Sequence, residues 1–247
     1  MPRDIPVGNG RLLVTFDNQY QIRDVYYPHV GQENHAGANP FRFGVHTDVP
    51  GEGKNALFWT TSPGWQIRQR YLRDTLTTSV SLEHEQLQLV LYCNDCVDFH
   101  RNIFVRKIKV KNLAGHGRLV QVVHNNDFNM FGSKIGDTAY YDPDLRSLVH
   151  YRANRYALVT FFNAPPVGAP ADAPFRQGVD EYATGTAGFH GAEGTWRDAE
   201  DGHLQGNPIA QGSVDSTVAL HAAVPANGET TVYMAMIVGQ SRQELVE

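Results

Sequence analysis

A hydrophobic period of two, broken at short intervals by turn residues, constrains this chain more than any other feature. Leu87, Leu89, Leu91 and Cys93 alternate with Gln88, Val90 and Tyr92, the spacing that lines one face of a strand. From Ile103 to Lys111, Lys107, Lys109 and Lys111 share one face while Phe104, Ile108 and Val110 share the other. That is a half-buried strand with a wet side. Thr231 to Val238 differs, because Val232, Met234, Met236 and Val238 oppose the equally apolar Tyr233, Ala235 and Ile237. Such a strand needs a further layer over its second face.

Turn signals fall at intervals that suit an all-β sandwich: Val7-Gly8-Asn9-Gly10, Pro50-Gly51-Glu52-Gly53, Ala114-Gly115-His116-Gly117 and Ala226-Asn227-Gly228. Asn227-Gly228 reads as a hairpin turn, since both residues tolerate positive φ. Strong helical periodicity is missing, with one late exception. Ser241 is a good N-cap and Glu244 follows three residues on, the capping-box arrangement. That helix would run off the end at Glu247, so a longer natural polypeptide is expected. Ala164 to Pro174, with four prolines, reads as a surface loop inside one domain, because strand-like sequence resumes after it.

At 247 residues the chain can bury a full core without disulfides or metals. Charged residues make up 19%, below the usual ~25%, which leaves surface for packing against another domain. The net charge of −5 and the lack of a Lys/Arg-rich run argue against a nucleic-acid partner. No apolar run is long enough for a membrane span. Met1 to Pro6 lacks the apolar stretch of a secretory signal, and only two cysteines occur, so a cytoplasmic location is expected.

Few segments carry recognisable chemistry. Cys93-Asn94-Asp95-Cys96 has no second ligand pair for zinc and ends a strand rather than opening a helix. It reads as two small core or turn cysteines. The histidines lack metal spacing, and Asp198 to Gly202 lacks the alternation of a calcium loop, so no metal and no cofactor are expected. Glycoside hydrolysis needs only two carboxylates; Glu193 with Asp198 or Asp201 is the pair to check. Two polar-aromatic clusters stand out. One holds Tyr26, Tyr27, His29, Asn34 and His35; the other holds Trp196, Asp198 and Asp201. Both suit a domain interface, ordinary turn loops, or direct sugar contact, where rings meet C–H faces and polar groups meet hydroxyls.

Ile5 to Gly10, Arg23 to His29, Gly136 to Pro143 and Gly194 to Gly202 resemble, in order, segments of the N-terminal domain of prokaryotic glycoside hydrolase family 15 proteins. That family holds glucoamylases, glucodextranases and trehalases. The resemblance implies a large two-sheet antiparallel super-sandwich of galactose-mutarotase-like type over residues 1–240. It implies that 241–247 begins a linker helix to an α/α-barrel catalytic domain of the same polypeptide. The family's catalytic glutamates lie on that barrel, so no catalytic residue is carried over. The eight cluster residues named above become candidates for the domain interface or the substrate-proximal edge. The implied substrate of the longer protein is an α-glucan or oligosaccharide, hydrolysed with inversion. Two other readings stay open: a free-standing carbohydrate-binding module, and a sugar epimerase on a related sandwich.

Overall fold

The computed structural model describes residues 5–36, 39–133, 135–163 and 176–247, and the alternating segments are strands. The loop expected at Ala164 to Pro174 lies outside the described residues. A small sheet pairs β1 (Ile5–Gly8), β2 (Leu13–Phe16) and β3 (Ile22–Tyr26). A five-stranded sheet has the order β15 (Glu181–Thr186), β17 (Val214–Val224), β10 (Arg118–Asn126), β4 (Arg42–Val49), β5 (Lys54–Trp59). The largest sheet, of ten strands, begins β16 (Ile209–Gly212), β11 (Asp137–Asp142), β12 (Ser147–Arg152), β13 (Arg155–Asn163). It continues β18 (Glu229–Gly239), β9 (Ile103–Asn112), β8 (Leu89–Val97), β7 (Thr78–His84), β6 (Trp65–Tyr71), with β14 (Arg176–Gln177) beside β13.

The central pairings are antiparallel. One core lies between the two large sheets: Phe43, Val122 and Leu220 from the first meet Leu91, Phe104, Ile108, Met234 and Met236 from the second. Val14, Phe16 and Ile22 of the small sheet join it. This is the expected two-sheet super-sandwich. On the second face of β18 only the end is covered, where Leu245 packs over Ile237 beside Val149 and Leu158 of the same sheet. Leu245 belongs to a 3-10 turn, Gln243–Leu245, at the end of the chain. Ser241 Oγ accepts the Glu244 amide at 3.3 Å, and the Glu244 carboxylate accepts the Gln240 amide at 2.8 Å. Half of the expected capping box is there, since Glu244 reaches the Gln240 amide rather than that of Ser241 and the turn starts after Arg242; the expected helix amounts here to one short turn.

Asn227-Gly228 does not close a hairpin. It joins β17 of the five-stranded sheet to β18 of the ten-stranded sheet, and only Asn227 is left-handed, at φ 51°. Turn chemistry reports what the backbone dihedrals require; which strands then pair is decided by where each apolar face is buried.

The spacing of Cys93 and Cys96 places them on opposite faces of β8. Cys93 is buried, and desolvation pushes its thiol up to about 12, while the half-buried Cys96 thiol is raised as well. On the same strand Asp95 lies opposite Arg106 of β9, both at 0% exposure. Arg106 Nε donates to Asp95 at 2.7 Å, while Tyr20 and Thr78 hydroxyls donate to the other carboxylate oxygen at 2.6 Å. The Arg106 guanidinium lies 4.1 Å from the Tyr20 ring centroid and 5.0 Å from that of Phe43. Cation–π attraction is strongest where the cation is desolvated, and it offsets part of the cost of burying this charge.

Candidate functional site

The first cluster forms a closed loop between β3 and β4. An isolated bridge joins Tyr26 to Asn34, and Tyr27 N donates to Glu33 O at 3.2 Å. Asn34 ties the loop to its own backbone: Oδ1 accepts the amides of Val25 and Ala36, and Nδ2 donates to Asp24. Glu33 is clamped by Arg155 in a two-point contact of 2.9 and 3.0 Å. His29 is exposed and lies 3.9 Å from Glu33. Tyr26 is half-buried, while Tyr27 and His35 are interior side chains at 1% and 3% exposure.

His35 has a definite role in this loop. Its Nε2 lies 2.6 Å from the Tyr27 carbonyl, and its Nδ1 accepts the Phe131 amide at 3.3 Å. Those partners require the neutral tautomer with the proton on Nε2. Desolvation agrees, since it lowers the His35 pKa. The residue it holds, Phe131, sits in a 3-10 turn, Met130–Gly132, at φ 58°. No pattern in the sequence singled out Phe131; left-handed backbone at a bulky residue leaves no signature in periodicity.

The second cluster lies over the outer face of the five-stranded sheet. Thr195–Asp201 forms a 3-10 segment capped by Gly194 at φ 124° and Gly202 at φ 83°. Both glycines are required by close approach as well as by φ. A Cβ on Gly194 would meet Asp215 Oδ2 at 2.7 Å, and one on Gly202 would meet the His46 ring. Trp196 packs beside Trp59, Val123, Ala199 and Leu204. Its indole N–H donates to Glu193 O at 2.9 Å, and the guanidinium carbons of Arg42 and Arg197 each lie 4.4 Å from the ring centroid. Beneath it, Asp215 accepts the Thr195 amide at 2.8 Å and the Asn125 side chain at 2.9 Å.

The carboxylates proposed as an acid–base pair are otherwise engaged. Arg197 holds Glu193 by two hydrogen bonds and draws its pKa down, the wrong direction for a general acid. Asp198 Oδ2 accepts the Gln205 amide at 2.8 Å, and Asp201 Oδ1 accepts the His203 amide at 2.9 Å. The Asp201 bond closes a two-residue turn, and the Asp198 bond ties the 3-10 segment to backbone seven residues on. Carboxyls pushed in the acid-catalyst direction do exist: burial raises Asp137 and Asp215 to about 6. Both are 1% exposed, so neither reaches a substrate at the surface.

The segment between the clusters touches both. Asn129 N donates to His35 O at 2.8 Å, and Asp127 interacts with Arg42, the residue over Trp196. Two open hollows flank it. One, of about 370 Å³, lies beside the second cluster among Thr184, Glu193, Asp198, Gln205 and Asn207. The other, of about 270 Å³, lies beside the first among Gln32, Glu33, Asn34, Asn129 and Phe131.

No family model matches the sequence. Over 106 residues, 43% of this chain, it is 26% identical to an uncharacterized glycosyl hydrolase of Methanocaldococcus jannaschii, covering 15% of that protein. The structure is similar to a bacterial glucoamylase solved with acarbose, at a TM-score of 0.68 and 14% identity, over 96% of this chain and 32% of that chain. A Synechocystis protein gives a TM-score of 0.53 at 8% identity, over 98% of this chain and 97% of the other. No helix among the described residues is long and apolar enough to cross a membrane. The chain has an antiparallel β-sandwich fold like the matching part of the glucoamylase, and it spans about a third of that protein.

Proposed function

We propose that this chain is the non-catalytic sandwich domain of a larger, inverting α-glucosidase of glucoamylase or trehalase type. It supports an α/α-barrel catalytic domain and borders the substrate cleft with its polar-aromatic end. The observation that carries this reading is coverage: 96% of this chain superposes on 32% of a glucoamylase. The engagement of Glu193, Asp198 and Asp201 in backbone and ion-pair contacts supports it further. In this role Tyr27, Asn34 and His35 shape the first loop from within, while Tyr26 and His29 offer surface. Trp196 and Asp198 do the same for the second segment.

The free-standing sugar-binding module fares less well at Trp196, because two guanidinium groups already take up the ring. A structure of the longer polypeptide tests the proposal. Tyr26, His29 and the Trp196 edge should lose solvent exposure against the barrel. Finding all three in open solvent would overturn the assignment of this end as the interface.

A further inference from the structure

Phe131 is one of several non-glycine residues at positive φ, with Tyr20 at 61° and His190 at 50° among the others. A bulky residue in the left-handed region is strained, and here the ring is only partly buried in return, since the residue remains 43% exposed. The strain is held from several sides. Met130 is buried and its amide donates to Asp137 at 2.9 Å, and His35 accepts the Phe131 amide. The ring stands edge-on to His35 at 6.2 Å, with the Arg155 guanidinium 5.1 Å from its centroid. A rigid aromatic surface is thereby presented at the rim of the 270 Å³ hollow.

The rest of the hollow has matching chemistry. Asn129 is 6% exposed and its Oδ1 has no hydrogen-bond partner among the described residues, a costly state for a buried amide. Gln32 is exposed. Glu33 is oriented by Arg155, yet an ionised carboxylate bonded at each oxygen keeps further lone pairs to accept hydroxyls. Because Glu33 and Arg155 neutralise one another, the hollow favours a neutral, hydroxyl-rich ligand over an ion.

We propose that this hollow binds a single neutral sugar unit. The C–H face of the sugar rests on Phe131, and its hydroxyls bond Glu33 and Gln32. This rests on reading the chain as part of an α-glucoside-acting protein, and names a contact made by the sandwich itself.

The test is titration of this chain with glucose, maltose, maltotriose and trehalose, followed by calorimetry and by the proton resonances of Phe131 and His35. At least one sugar should saturate in the millimolar range. Phe131→Gly should weaken binding by about tenfold without lowering the unfolding midpoint, because glycine adopts this φ freely. Phe131→Trp should retain binding, and the exposed Gln32→Ala should weaken it about threefold, roughly 0.6 kcal/mol. Flat titrations with all four sugars, or unchanged binding by Phe131→Gly, would overturn the proposal. If titrations are flat while the longer polypeptide hydrolyses α-glucosides, the hollow fails and the accessory-domain reading stands. Saturable binding with no hydrolysis by the longer polypeptide keeps the hollow and removes that reading.

Discussion

Trp196 and Phe131 are two aromatic residues flanking the same stretch of chain, used in opposite ways. Trp196 is tied down: its indole N–H is bonded, its ring is taken up by two guanidiniums, and its edge packs on Val123 and Ala199. Phe131 is held further out: its backbone is strained, and its ring, with Arg155 and His35 beside it, stays 43% exposed. One ring stabilises a covering segment, the other is displayed by a segment stabilised elsewhere. A large aromatic in a polar loop therefore says little about binding until its faces are accounted for.

The sharpest way to break this comparison is to remove each ring. Trp196→Ala should cost about 2–3 kcal/mol of unfolding free energy, by loss of packing and of the cation contacts. Phe131→Gly should cost nothing or add up to ~1 kcal/mol. Urea midpoints compare them directly, and equal losses would abolish the distinction. Next in size, Gly194→Ala should cost about 2 kcal/mol, since φ 124° is strained for alanine and its Cβ would press on Asp215 Oδ2. That change should leave the resonances around Phe131 unmoved if the two regions are independent.

A smaller effect comes from pH, which acts beneath both regions. Asp137, under Met130, and Asp215, under Thr195, are raised by burial to about 6 from 3.8. Their contribution is complete below about pH 4 and is lost as pH rises through 6. His124 and His150 are lowered by burial to about 3 from 6.5. Theirs is complete above 6.5 and is lost as pH falls towards 3. The two slopes oppose one another between about pH 4 and 6, but burial lowers His35, His46 and His84 as well, so the histidine side is the larger and stability there should rise with pH. A His150→Gln variant should show a shallower rise across that window. Chemical denaturation at stepped pH reads this, and a variant with unchanged slope would contradict it. Smallest of all, Asp201→Asn should stay within ~0.5 kcal/mol, because an amide oxygen accepts the His203 amide equally well.

How far the chain could be read from its residues follows the same division. Strands with a repeating face were legible, down to the Lys107, Lys109 and Lys111 stripe and the cap at Ser241. The buried ion pair left a trace that periodicity contains: Asp95 continues the Leu89, Leu91, Cys93 phase, and Arg106 interrupts the Phe104, Ile108, Val110 phase. A charge at a core position on two adjacent strands predicts a buried pair once their register is known. The arch at Asn227 and the display of Phe131 were not legible. Both depend on non-local facts, namely which sheet receives the next strand and which interior contacts offset local strain. The two clusters were visible as compositions. That Tyr27, Asn34 and His35 build the loop from inside, while Asp198 and Asp201 bond backbone amides, required coordinates.

The central proposal is that this chain is the non-catalytic domain of a longer α-glucoside-acting polypeptide. Glucose release from maltooligosaccharides, dextran and trehalose, measured for this chain beside the longer polypeptide, tests it most directly. The account predicts release by the longer protein alone. Release by these 247 residues alone would contradict it and return attention to the carboxylates from Glu193 to Asp201.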